Sequence, residues 1–269
     1  LKVKETIDLE SFYKDDDQGD LKFYHQLATI YYKNNDNDNA IKVYKENLSL
    51  IKSKRSLSNN NQTKDDLLRW EVLTLSDLAL NIHNKYYTTG NDKYLDEAEK
   101  LYLQNIKISE ISNLESIQRD LFITKDNLTA IYISRSKFEK ALPMIEENYT
   151  SCIKSYSEKN EKCLTQMITL ASVTSTFDLP KSIKILEKFL DLEPKTNNNF
   201  LRQRVNARNA LSGAYESMGK FKKSEELALE SINLIDPSDT RFRDTYINSM
   251  NSYYLQIAKS GQFKDAIEG

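Results

Sequence analysis

Apolar residues along this chain recur at steps of three and four, not two, and come in paired stripes separated by short polar breaks. In the clearest stretch Val205, Leu211, Tyr215 and Met218 form a first stripe, and Gly219-Lys220 interrupts it. Phe221, Leu227, Ile232 and Leu234 form a second stripe that stops at Asp236-Pro237. Gly219 can take the left-handed conformation that ends one helix, and Pro237 cannot continue the other. The pattern predicts a helix hairpin.

The hairpin pattern repeats. A small residue opens each second stripe at Ala40, Ala98, Ala141, Ser182, Ser224 and Ala266, at spacings of 58, 43, 41, 42 and 42 residues. Upstream lies a partner set: Leu27-Ala28 with Tyr31, Leu78-Ala79 with Ile82, Leu128-Thr129 with Tyr132, Leu170-Ala171 with Thr174, Leu211-Ser212 with Tyr215, and Tyr253-Tyr254 with Ile257. Two antiparallel helices approach closely only where a side chain is small, and large neighbours fill the groove beside that contact. A fixed period of this length marks stacked supersecondary units.

These residues resemble the tetratricopeptide repeat. The clearest matches are Leu211-Ser212-x-x-Tyr215-x-x-x-Gly219-x-Phe221-x-x-Ser224 and Tyr254 through Gly261-x-Phe263-x-x-Ala266. The period near 42 is similar to the longer subtype found in kinesin light chains, as is Lys140-Ala141-Leu142-Pro143. The resemblance implies an all-α, right-handed superhelical solenoid of antiparallel helix hairpins. It spans residues 21–269 as about six repeats behind an N-terminal extension, residues 1–20, and is weakest where Thr174 and Ser182 stand in the fourth repeat.

The long first spacing implies two insertions, near residues 53–65 and 85–91. The first, rich in Ser and Asn around Ser56 to Lys64, reads as a flexible polar loop, and the second as a longer hairpin. The sixth repeat breaks off within its second helix, with no polar capping helix to cover its apolar face. The expectation is a fragment of a longer protein, or a last half-repeat covered by a neighbouring copy.

Composition supports helix: only 6 Gly and 4 Pro occur in 269 residues. Charge is balanced, 38 basic against 40 acidic with the signs interspersed, so no nucleic-acid footprint is visible. No apolar run is long enough for a membrane span. No targeting segment is recognisable, and the compartment stays open with the cytoplasm preferred. Cys152 and Cys163 lack a histidine cluster for a metal site. They flank a predicted turn, and two reduced small side chains are the preferred reading, with a disulfide as the alternative. Four Asn-x-Ser/Thr triplets, at Asn47, Asn61, Asn127 and Asn148, are the number chance supplies among 24 asparagines.

Catalytic chemistry finds little footing. His25 and His83 lie in different repeats without a spaced nucleophile or metal partner. Gly213 with Gly219-Lys220 has the wrong spacing for a phosphate loop. Asp15 to Asp17 and Asp36 to Asp38 lack the glycine and the final acid of a calcium loop. No catalytic residue, metal site or cofactor is expected, and the chain reads as a non-enzyme.

What remains is a row of asparagines on the first helices. In the family these helices line a groove that holds peptides, and the register places Asn127, Asn206, Asn209, Asn248 and Asn251 at or beside it, with Gln26, Asp77, Thr165 and Ser172 as counterparts. A side-chain amide donates and accepts, so it can pair with a peptide backbone of any sequence. An Asn-rich chain also exposes asparagines on any helix, and that reading stands beside the first. Arg202, Arg204, Arg208, Arg241 and Arg243 read as surface ion pairs, or alternatively as a bidentate carboxylate site. The lysine and asparagine clamp of chaperone-binding members is not reproduced. The expectation is a scaffold that binds a protein or peptide partner in its groove. The alternative is the sensory or autoinhibitory part of a larger effector, such as a caspase-like peptidase or a peptide-responsive regulator.

Overall fold

The computed structural model describes residues 18–195 and 200–259. Among these every regular element is a helix: α1 Gly19–Lys33, α2 Asn37–Leu57, α3 Asn61–Thr89, α4 Lys93–Glu110, α5 Glu115–Ser134, α6 Phe138–Ser155, α7 Glu161–Thr174, α8 Leu179–Leu192, α9 Leu201–Ser217, α10 Phe221–Asn233, a 3-10 turn Thr240–Phe242, and α11 Arg243–Lys259. The architecture is an all-α solenoid of antiparallel hairpins. It divides into two compact units after Arg135, so the division falls inside the third repeat of the sequence pattern. The N-terminal Asp15 to Asp17, and the Gly261, Phe263 and Ala266 match, lie outside the described residues.

In the first unit α1 packs on α2 and α3 on α4, with α5 against α4. The small residues that predicted these hairpins, Ala28, Ala40, Ala79 and Ala98, are fully buried. Starts and stops are local chemistry. Asp36 and Asn60 cap α2 and α3 by accepting the backbone N–H of Asn39 and Thr63 at 3.3 and 3.2 Å. The turn after α1 needs a left-handed residue and takes Asn35 (φ 58°), and α3 ends at Gly90 (φ 64°). The Ser56 to Lys64 stretch is not a flexible loop. α2 runs to Leu57 and α3 starts at Asn61, so all but three residues of the excess extend helices. The expected polar loop fails because Asn60 works as a helix cap and the residues after it carry α3's buried stripe from Leu67 onward. α3, at 29 residues, continues through Thr89.

In the second unit α7 packs on α8 and α9 on α10, with α6 against α7 and α11 against α10. Serines replace alanines at the close approaches. The hydroxyl of Ser182 donates to the Ala171 carbonyl at 2.7 Å, and Ser212 and Ser224 face each other at 2.8 Å, each also donating to the other's carbonyl. A hydroxyl at a helix-helix contact must find an acceptor or lose its hydration uncompensated, and here the facing backbone supplies it. The core is built of Leu164, Met167, Leu186, Phe189, Phe200, Leu211 and Tyr215. Left-handed turns before α6 and α10 use Ser136 (φ 54°) and Gly219 (φ 70°).

Seven residues after the small position, the second helices carry another repeated feature. Asn47 and Asn105 are buried and donate through Nδ2 to the carbonyls of Leu21 and Val72, at 3.3 and 2.8 Å. Those carbonyls stand seven residues before Ala28 and Ala79. Asn148 occupies the same register and is buried too. At Asn47 and Asn148 burial leaves no room for a glycan in the folded chain.

Candidate functional site

On α9 the residues turned toward the hairpin partner are buried, among them Val205, Leu211, Ser212 and Tyr215, while Asn206, Ala210, Gly213 and Ser217 are exposed along one side. On α11 Ser249, Gln256 and Ile257 are buried, and Asn248, Asn251 and Leu255 are exposed. Asn209 is half-buried between the two helices and donates to the Ser249 hydroxyl at 3.1 Å. Of the five asparagines picked out by register, three are therefore free on the surface of the second unit and one ties its helices together. Asn127 is half-buried on α5 in the first unit.

Beside Asn206 lies a recess of about 360 Å³, lined by Ser172, Ser175, Leu179, Ser182, Leu186, Ala210, Gly213, Ala214 and Ser217. Three of its hydroxyls bond to main-chain carbonyls: Ser175, Ser182 and Ser217 donate to Ser172, Ala171 and Gly213. A Cβ added at Gly213 would meet nothing within 4 Å, so the glycine leaves space that the fold itself does not need.

The arginines are not all surface ion pairs. Arg208 donates from Nη1 and Nη2 to both oxygens of Glu193, at 2.9 and 2.7 Å, and from Nε to Glu230 at 3.1 Å. Arg204 stands 3.7 Å from the same Glu193 carboxylate. Glu193 has no exposed side-chain surface, and Arg204 and Arg208 keep 8% each. Burial would raise the Glu193 carboxyl, but hydrogen bonds from Arg208 and Lys195 outweigh it and hold the group below its ordinary value. This pair serves the fold, because nothing of the carboxylate is left for a ligand. Arg202 reaches Thr245 and Arg241, and Arg241 pairs with Asp239 on the surface.

The reduced pair expected at Cys152 and Cys163 is instead a disulfide, joining α6 to α7 with Cα atoms 5.5 Å apart. The five residues between the helices fold the chain back so that two positions 11 apart in sequence meet in the core. Both cysteines are buried.

His25 has a partner that spacing alone could not show. Its Nε2 lies 3.6 Å from Oδ2 of Asp77, across α1 and α3, with Tyr44 and Trp70 edge-on to its ring. Asp77 therefore bridges two helices through its approach to His25. Burial pushes its carboxyl up to about 6 and pushes the His25 imidazole down. The same carboxylate, after burial, raises the hydroxyls of Tyr44 and Tyr102. His25 Nδ1 is buried without a hydrogen-bond partner, so no proton relay continues from the pair. Among the described residues no three His, Cys, Asp or Glu side chains converge to hold a metal ion.

An acid whose pKa is higher folded than unfolded binds its proton more tightly in the folded state. Its contribution is fully present below the ordinary value of 3.8 and is lost as pH rises through about 6. Asp77→Asn is expected to stabilise the chain by about 1–2 kcal/mol above pH 7, less than the whole shift implies because solvent still reaches the carboxylate. The gain should shrink to nothing near pH 4. Urea denaturation of both proteins across this range checks it, and a pH-independent difference would contradict the assignment.

The tetratricopeptide-repeat family model matches residues 21–53, most of α1 and of α2. Among solved structures, BtubC (BKLC) from P. vanneervenii is 17% identical, with 87% of each chain covered and a TM-score of 0.68. A putative kinesin light chain with nearly identical repeats, from Podosopora anserina, is 18% identical, with 82% of this chain and 96% of that one covered and a TM-score of 0.61. RapI in its apo form is 13% identical, with 98% and 92% covered and a TM-score of 0.60. At these identities the likeness is one of fold. No curated protein matches the chain.

Proposed function

We propose that this chain, a stack of helix hairpins with the fold of tetratricopeptide-repeat proteins, is a protein-interaction scaffold whose second unit binds an extended segment of a partner along α7, α9 and α11. The observation that carries this reading is the pairing of a small-residue floor with exposed amides. Gly213, Ala210 and Ser172 let a partner backbone come close, and Asn206, Asn248 and Asn251 offer a donor and an acceptor each. Asn209, bonded to Ser249, holds the two inner helices in register and supports the surface without contributing to it. The mechanism is binding alone, with no covalent step.

Gly213→Gln tests the floor. It fills space that is open in the free fold, and replacing a helical glycine removes a backbone penalty of about 0.5–1 kcal/mol. The variant is expected to melt at or above the temperature of the parent. Peptides selected on the parent from a random library should lose at least about tenfold in affinity for Gly213→Gln, and for the Asn206→Ala, Asn248→Ala, Asn251→Ala triple variant. Equal affinity for all three proteins would place the binding surface elsewhere.

A further inference from the structure

The first unit holds a second recess, of different chemistry. α3 sends Asp66, Arg69, Trp70 and Leu73 along one side, at the three and four residue steps of a single helix face. α5 presents Ser116, Ile117 and Asp120 against them, and Gln18 closes one end. Together they enclose about 270 Å³. Val72 and Ile117 are buried at its base, and Leu73 stands exposed at its edge. Trp70 is fixed in place: its indole N–H donates to Gln18 Oε1 at 2.8 Å, and the His25 ring packs edge-on at 5.5 Å.

The polar groups are unequally satisfied. Arg69 is held by Asp66 at 2.9 Å, which neutralises both. Among the described residues the exposed Asp120 carboxylate takes part in no ion pair, and the Ser116 hydroxyl is buried with no hydrogen-bond partner. The recess thus combines apolar walls, an indole, a carboxylate with no ion pair among the described residues and one orphaned hydroxyl.

We propose that this recess receives an arginine or lysine side chain from a protein partner. The aliphatic stem lies against Leu73 and Ile117, the cation stands beside the Trp70 ring, and Asp120 and Ser116 accept its hydrogen bonds. Arginine fits better than lysine, because a planar guanidinium stacks on an indole while pairing with a carboxylate. Charge complementarity decides the class of occupant. An acidic segment would meet Asp120 unscreened, and a purely apolar one would leave the Ser116 hydroxyl unsatisfied.

Trp70 is the chain's one tryptophan, so its fluorescence reports on this recess alone. The probe is a short capped peptide, leucine-arginine-leucine, with its citrulline and glutamate counterparts as controls. A saturable change in emission is expected for the arginine peptide at millimolar concentration. Citrulline in place of arginine, or Asp120→Asn in the protein, should weaken it by about fivefold or more. Asp120 is exposed, so the variant should melt like the parent, and a melting curve confirms that the loss is local. Equal responses to arginine and citrulline peptides, an unaffected Asp120→Asn, or no response would each overturn the proposal. The site stands apart from the groove of the second unit: the Asn206, Asn248 and Asn251 triple variant should titrate like the parent whether or not that groove binds anything.

Discussion

Glu193→Ala is expected to destabilise the second unit by roughly 3–5 kcal/mol, the largest effect of any single substitution considered for this chain. Glu193 follows α8 directly and accepts two hydrogen bonds from Arg208 of α9, one from Lys195, and the charge of Arg204. Removing the carboxylate leaves two guanidinium groups, each with 8% of its side chain exposed, without their buried partner, and Arg208 keeps only the exposed Glu230. The cost is that of stranded cations, not of one hydrogen bond. Glu193→Leu combined with Arg208→Met should therefore lose less than Glu193→Ala alone, since one buried guanidinium, that of Arg204, then lacks its partner in place of two. Urea denaturation of the three proteins reads this directly. A loss below about 1 kcal/mol for Glu193→Ala would show that water reaches the pair.

The same network has a pH signature opposite to that of Asp77. The Glu193 carboxyl is held below its ordinary 4.5, so its contribution is complete above that value and is lost as pH falls below it. Acid should weaken the second unit through Glu193. In the first unit, Asp77 contributes most at low pH and loses that contribution as pH rises toward about 6.

Loss of the Cys152–Cys163 disulfide is the second large effect. A bridge spanning 11 positions restricts the unfolded chain by an amount worth about 3 kcal/mol in the loop-closure account. The double variant Cys152→Ala, Cys163→Ala is expected to melt below the oxidised parent, and a thiol reductant should lower the parent toward it while leaving the variant unmoved. Both sulfurs are buried, so reduction should be slow under native conditions and speed up once the second unit opens. Identical melting of the parent with and without reductant would show that the bridge does not form in solution.

Much of the fold was legible because its signals are local. Ala28 with Tyr31 and Ala40, or Ser212 with Tyr215 and Ser224, announce a hairpin within 13 residues. Helix ends follow the same logic, with Gly219 taking the left-handed turn as its type allows. Even so, Asn35 and Ser136 do the same work without announcing it. The Ser- and Asn-rich stretch misled, because Asn60 reads as loop by composition and acts as a cap by geometry. Asn47, Asn105 and Asn148, seven positions after the small residue of each second helix, sit in strict register, but a buried amide and an exposed one are the same letter in a sequence.

The candidate sites divide in the same way. Register along a helix sufficed to list Asn206, Asn248 and Asn251 as outward-facing, since exposure within a helix follows from the period. Only the packed structure showed that Asn209 spends its amide on Ser249, that the floor beside Asn206 is empty at Gly213, and that Trp70 forms a recess with Asp120.

The sequence by itself determined that this chain is a stack of helix hairpins and which small residues let its helices touch. Those are properties of spacing within one or two helices. The tertiary structure decided which charges are buried together, that His25 meets Asp77, that two cysteines join, and which surfaces stay open. Such pairings depend on the angle and rotation of helices brought together from distant parts of the chain, and many sequences with the same period would place those side chains differently.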